Sequence, residues 1–127
     1  LTFYYTWIIN NMMIPGHIEN WLIICDLKNL NIMDISLSLL GALLDTLEVV
    51  FKNRCYRLIL INTDWFKNTL LTIIFSWVDE VVQASITWYS VEETMPKLLT
   101  YFELEDIEQK HGGLKPNIDG SIFPPVY

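Results

Sequence analysis

A mainly parallel α/β fold, a sheet with helices packed on it, is what this sequence predicts, on three observations. Trp21–Leu27 (Trp-Leu-Ile-Ile-Cys-Asp-Leu) and Cys55–Asn62 (Cys-Tyr-Arg-Leu-Ile-Leu-Ile-Asn) are apolar runs of strand length. Runs without alternation suit strands buried on both faces. Between them Ser36–Lys52 has a helical period, and strand, helix, strand over such a connection makes a right-handed parallel crossover.

The elements follow in order. Phe3–Met13 reads as a helix, with Tyr4, Ile8 and Met12 at four-residue spacing, stopped by Pro15-Gly16. The first strand shows Trp21, Ile23, Cys25 and Leu27 on one side and Leu22, Ile24 and Asp26 on the other. The crossover helix carries its apolar stripe on Leu40, Leu43, Leu44, Leu47, Val50 and Phe51, with Asp34 or Ser36 as cap. After the second strand, Asp64 is set to cap a helix from Trp65 to about Val78. Phe66, Leu70, Ile73 and Trp77 form one stripe of that helix, and Leu71, Ile74, Phe75 and Val78 nearly close the ring. A helix apolar almost all round needs apolar neighbours on two sides. Asp79–Ser85 is a short helical piece and Ile86–Tyr89 a third parallel strand. A helix around Met95–Tyr101 follows, with Glu92-Glu93 at its N-terminal end and Pro96 in its first turn. Ile107–His111 is a last turn closed by Gly112-Gly113, and 114–127 is a tail without core periodicity.

Composition narrows the function. The 127 residues suffice for one domain. They are 52% hydrophobic with five Trp, at a mean hydropathy of +0.31, more apolar than a small domain needs for its own core. The net charge of −7, from 8 basic and 15 acidic residues, argues against nucleic acid as a partner. The longest apolar stretch, Leu70–Val78, ends at Asp79-Glu80 and is too short to span a bilayer. No leader peptide is visible in Leu1 to Met13. Cys25 and Cys55 each fall in a strand and read as buried, reduced thiols, which fits the cytoplasm. The chain starts on Leu1, inside an apolar segment, and is expected to begin within a domain.

Ile-Cys-Asp-Leu-Lys (24–28), Tyr-Arg-Leu-Ile-Leu-Ile-Asn (56–62), Phe-Ser-Trp-Val-Asp (75–79) and Lys-His-Gly-Gly (110–113) come in the order and rough spacing of the CRAL-TRIO, or Sec14-like, lipid-binding domain. From about Pro15 to Gly113 the chain resembles that family. The resemblance implies a partial domain over 1–113, truncated at its N-terminus. It implies a parallel sheet flooring an apolar pocket, a gate helix matching Trp65–Ser85, and non-catalytic binding or transfer of a phospholipid or similar lipid at membranes. Trp21, Ile23, Cys25, Leu58, Leu60 and Trp88 would line the pocket; Phe75, Trp77, Val78 and Val81 would cover it. Stripes of this kind serve an ordinary core equally well. A domain lacking one wall is also expected to dimerise or exchange a strand or helix. Phosphatidylinositol-binding members carry an acidic residue before the second strand and a Thr/Lys pair after the gate. Asn53, Val82 and Ser85 stand there, so the resemblance does not extend to that headgroup.

Lys52, Arg54 and Arg57 form a basic cluster that could meet a phosphate headgroup or membrane surface, or simply be solvated. Asp26, Asp64 and Asp79 lie near strand or helix ends, where α/β enzymes hold ligands, yet none has a nucleophile–base partner at a recognisable spacing. There is no G-x-S-x-G, P-loop or G-x-G-x-x-G, and His17 and His111 are isolated, so neither an enzyme, a metal nor a cofactor is expected. The alternative to a lipid carrier is a regulatory or scaffold module that uses the same apolar surface to hold a protein.

Overall fold

The computed structural model describes residues 2–30, 36, 38, 41–42, 45, 54–64, 72, 75–76 and 78–118. Its elements run α1 (Thr2–Asn11), β1 (Trp21–Asp26), β2 (Cys55–Ile61), α2 (Glu80–Ala84), β3 (Ile86–Trp88) and α3 (Val91–Leu98), then two 3-10 turns, Leu104–Asp106 and Gln109–His111. The strands form one parallel sheet in the order β1-β2-β3. This is the α/β architecture the apolar runs require.

Register divides the sheet into two faces, because side chains alternate along a strand and partners in register share a side. Ile23 pairs with Leu58 and Cys25 with Leu60, while Leu58 pairs with Ile86 and Leu60 with Trp88. These six lie on one face. Leu22, Ile59 and Ile61 lie on the other. At the start of β2 the ladder skips a residue: Trp21 pairs with Cys55 but Leu22 with Arg57. The extra residue, Tyr56, bulges outward and is exposed.

The face of Ile59 and Ile61 holds one packed core cluster. Both are wholly buried, and Leu98 of α3 and Ile107 close on them, with Leu22, Tyr89, Met95 and Phe102 around the rim. The ladder continues past β2, where Thr63 N and Thr63 Oγ1 both donate to the Tyr89 carbonyl, at 3.2 and 3.0 Å.

Helix α3 begins earlier than its hydrophobic pattern suggested, and the reason is a capping box. Ser90 Oγ accepts from Glu93 N, and Glu93 Oε2 accepts from Ser90 N. Pro96 therefore sits deep in the helix rather than in its first turn. It has no N–H to give to the carbonyl four residues back, and the helix stops two residues later. The other end of the motif behaves as expected: Gly112 adopts φ +95° and donates to Gln109 O. Lys115 bonds to Ile107 O and Gln109 N, and Ile118 N reaches Glu108 Oε2, so residues 115–118 run along this turn.

Two expectations are corrected. Strand β1 is not buried on both faces: its second half, Ile24 to Asp26, is exposed, because among the described residues it is the edge of the sheet. For the same reason Cys25 is exposed, and only Cys55 is a buried thiol. Ser38, Gly41, Ala42 and Asp45 are helical; the crossover helix's apolar stripe lies outside the described residues.

Candidate functional site

The face of Leu58 and Leu60 differs from its opposite in what covers it. Leu58, Leu60 and Ile86 are buried there, but Trp88 remains 36% exposed. Ile23 is half-buried and Cys25 open. Phe75 stacks on Trp88, ring centroids 5.0 Å apart at 49°. The Phe75 segment is tied to α2 by one side chain: Gln83 Nε2 donates to Phe75 O at 2.8 Å and to Val78 O at 2.9 Å. Asp79 caps α2 by accepting from Val82 N at 2.8 Å.

The residues singled out from sequence are thus distributed as follows. Ile23, Cys25, Leu58, Leu60 and Trp88 share one face, with Phe75 against it and Trp21 leading in beside Cys55. Val78 is half-buried next to that cover. Val81 points away into solvent, 74% exposed. Trp77 and most of Trp65–Val78 lie outside the described residues, as do Lys52 and Asn53. Asp64, expected to cap that helix, is seen accepting from Val91 N at 2.9 Å, across at the start of α3.

The two described arginines diverge. Arg57 belongs to the Ile59 face, where Nη1 donates to Tyr101 Oη at 3.0 Å and the guanidinium lies over the Tyr56 ring. Arg54 reaches the sulfur of Met13 at 3.5 Å. Val82 is buried and Ser85 Oγ donates to Val81 O, so neither presents a polar group to a headgroup.

One arrangement escaped the sequence reading. At the carboxyl ends of β1 and β2, Asp26 Oδ1 accepts from Asn62 Nδ2 at 2.6 Å and Lys28 N at 2.9 Å. Its Oδ2 faces His111 Nδ1 at 3.2 Å. They edge a cavity of about 320 Å³ on the Ile59 side, lined also by Ile24, Leu98, Phe102 and Lys110. His111 looked isolated because its partner lies 85 positions earlier; the signal available was only that Asp26 ends a parallel strand. Lys110 bonds to Glu108 at 2.8 Å and holds that carboxyl below its usual range. Burial pushes the Cys55 thiol up to about 11. Among the described residues no group of three His, Cys, Asp or Glu could hold a metal ion. No helix among them is long and apolar enough to cross a membrane.

A family model, that of the CRAL/TRIO domain, matches residues 1–113, reaching further towards the N-terminus than the motifs from Pro15 onward. A comparison with curated proteins found no match. The match takes in α1, the whole sheet with its two unlike faces, α3 and the Lys-His-Gly-Gly turn. The chain belongs to the CRAL/TRIO domain family, a family of lipid-binding and lipid-transfer domains whose members are generally carriers rather than enzymes.

Proposed function

We propose that the chain holds one hydrophobic lipid, a phospholipid or similar, against the Leu58, Leu60, Ile86 and Trp88 face and carries it between membranes without covalent chemistry. One observation carries this: the register sorts the apolar residues of three strands onto two faces, and among the described residues α3 and Ile107 close one of them, while on the other Leu58, Leu60 and Ile86 are buried but Trp88 is not. On the other, a tryptophan stays partly open beneath a single described aromatic cover. Ile23, Cys25, Leu58, Leu60 and Trp88 form the floor in this reading, with Phe75, Trp77 and Val78 above it. Each methylene kept from water there is worth about 0.8 kcal/mol, so a dry site removes most of the cost of a lipid's passage between bilayers. Free thiols fit work at the cytoplasmic side of membranes. Inositol recognition is not part of the reading, given the buried Val82.

The test is native mass spectrometry of the purified chain, together with exchange of a fluorescent phospholipid between vesicles. A bound lipid, and exchange that Leu60→Glu abolishes, are expected. A lipid-free protein that catalyses no exchange sinks the proposal.

The open edge of β1 favours a second reading, in which the chain pairs with another copy or partner through that strand. Light scattering on the eluting protein decides it: a monomer at micromolar concentration argues against self-pairing.

A further inference from the structure

The charges of this chain are unevenly spread. All 8 basic and all 15 acidic residues lie at or beyond Glu19; the first 18 residues carry none. That uncharged stretch is Leu-Thr-Phe-Tyr-Tyr-Thr-Trp-Ile-Ile-Asn-Asn-Met-Met-Ile-Pro-Gly-His-Ile. It mixes aromatic, aliphatic and neutral polar residues, the composition favoured at the boundary between lipid headgroups and acyl chains.

Its structure ends in a hydrogen-bonded apolar tip. After α1 the chain turns through Pro15 and Gly16, the latter at φ +77°. Ile14 and Ile18 exchange two backbone bonds, Ile14 N to Ile18 O at 3.0 Å and Ile18 N to Ile14 O at 2.7 Å. Residues paired in this way project their side chains to the same side. Glu19 Oε1 braces the turn by accepting from Gly16 N at 2.9 Å. Yet Met12, Ile14 and Ile18 are 52%, 51% and 50% exposed. A turn held by these three hydrogen bonds that leaves three large apolar side chains in water is costly unless something receives them. At its base, Arg54 Nη1 touches Met13 Sδ, which puts a guanidinium where a lipid phosphate would lie once the tip is immersed.

We propose that the Met12–Ile18 turn, with α1 behind it, is the part this chain seats in the interface of a phospholipid bilayer. The inference rests on the lipid-carrier reading, for which it supplies the docking surface. A bilayer suits this tip better than a protein does, since residues 12–18 carry no Asp, Glu, Lys or Arg for a partner to read, and the flanking charges among the described residues are Glu19, turned back onto Gly16 N, and Arg54 beside Met13. A chain of net charge −7 gains nothing from an anionic surface, so insertion of the apolar side chains drives binding and zwitterionic membranes suffice.

Flotation with phosphatidylcholine vesicles tests it. The wild-type chain should float, and raising salt from about 0.1 to 0.5 M should leave binding nearly unchanged, because apolar insertion is not screened. Ile14→Asp/Ile18→Asp should reduce the floated fraction about tenfold or more while lipid offered in detergent is still retained. A second measurement covers the case in which that variant fails to fold. Pro15→Cys in a Cys25→Ser background, labelled with an environment-sensitive dye, should shift to the blue on adding vesicles. An unshifted dye on a chain that floats, or flotation that ignores both aspartates, overturns the docking site while leaving the lipid pocket standing. If the wild-type chain neither floats nor retains lipid, the carrier reading falls with it. A dimer that the aspartates convert to monomer would assign the tip to a second copy and overturn the proposal.

Discussion

Phe75 lies across Trp88 with 5.0 Å between ring centroids, which joins the segment before α2 to the last strand of the sheet. The contact brings the Phe75 segment onto the face that β2 and β3 build together. Trp88→Ala should lower lipid exchange several-fold and cost about 0.5–1.5 kcal/mol beyond the lost burial. Phe75→Ala should do the same, and the double variant should be less than additive. Exchange assays and urea melts of all three proteins check this.

The opposite face predicts the reverse pattern. Ile59→Ala or Ile61→Ala empties a wholly buried site and should destabilise by about 2–5 kcal/mol. Lipid retention per folded molecule should stay close to wild type. Denaturant unfolding, alongside binding measured on the folded fraction, separates the two effects.

The Lys-His-Gly-Gly turn gives a sharper steric forecast. A Cβ at Gly113 would collide with the backbone carbonyl of Ile107, and that carbonyl also accepts from Lys115 N. Gly113→Ala should therefore displace residues 107–118 from the sheet. Loss of slow amide exchange at Gln109 and Lys115, whose N–H groups bond to Lys115 O and Ile107 O, with a reduced Tm, is expected; an unchanged melt would contradict the packing.

The two thiols should react unequally. Cys25 is exposed at its surface although partial desolvation and the neighbouring Asp26 raise its thiol, while Cys55 is buried and pushed up to about 11, so access decides between them. At pH 8 iodoacetamide should modify Cys25 first, read by peptide mass mapping. For stability the sign is fixed. Folding favours the neutral Cys55 thiol, so its contribution is complete below the ordinary value of 9.0 and is lost as pH rises towards 11. Cys55→Ala should flatten that alkaline fall.

Ser90→Ala removes the oxygen that receives Glu93 N at 3.2 Å and should cost about 1 kcal/mol, measured by thermal or denaturant unfolding. Ser90→Asp should restore most of it.

Why some of this was readable beforehand follows from the kind of interaction involved. The strands were legible because two unbroken apolar runs and the third, Ile86–Tyr89, leave little else for those residues to do. A turn end marked by local chemistry, Gly112 after the last turn, was equally plain, whereas Asp79 was read as part of α2 rather than as its cap. The start of α3 was misplaced because the pattern of apolar residues outweighed Ser90 and Glu93, whose reciprocal bonds fix the helix start four residues earlier, at Val91. The exposure of Ile24 and Cys25 was hidden for a different reason. An apolar run records what a strand is made of, not whether a neighbour lies on each side of it. Pairings such as Asp26 with His111, or Arg57 with Tyr101, depend on where distant segments meet and leave no local trace.

The bulge at Tyr56 has a consequence for how such a chain can vary. Downstream of it, adjacent residues of β2 belong to opposite worlds, Ile59 and Ile61 packed against α3 and Leu58 and Leu60 turned to the other side of the sheet. Dropping or adding a single codon between Arg57 and Ile61 would swap the two wholesale. A one-residue insertion or deletion inside this strand thus costs the fold far more than a replacement there.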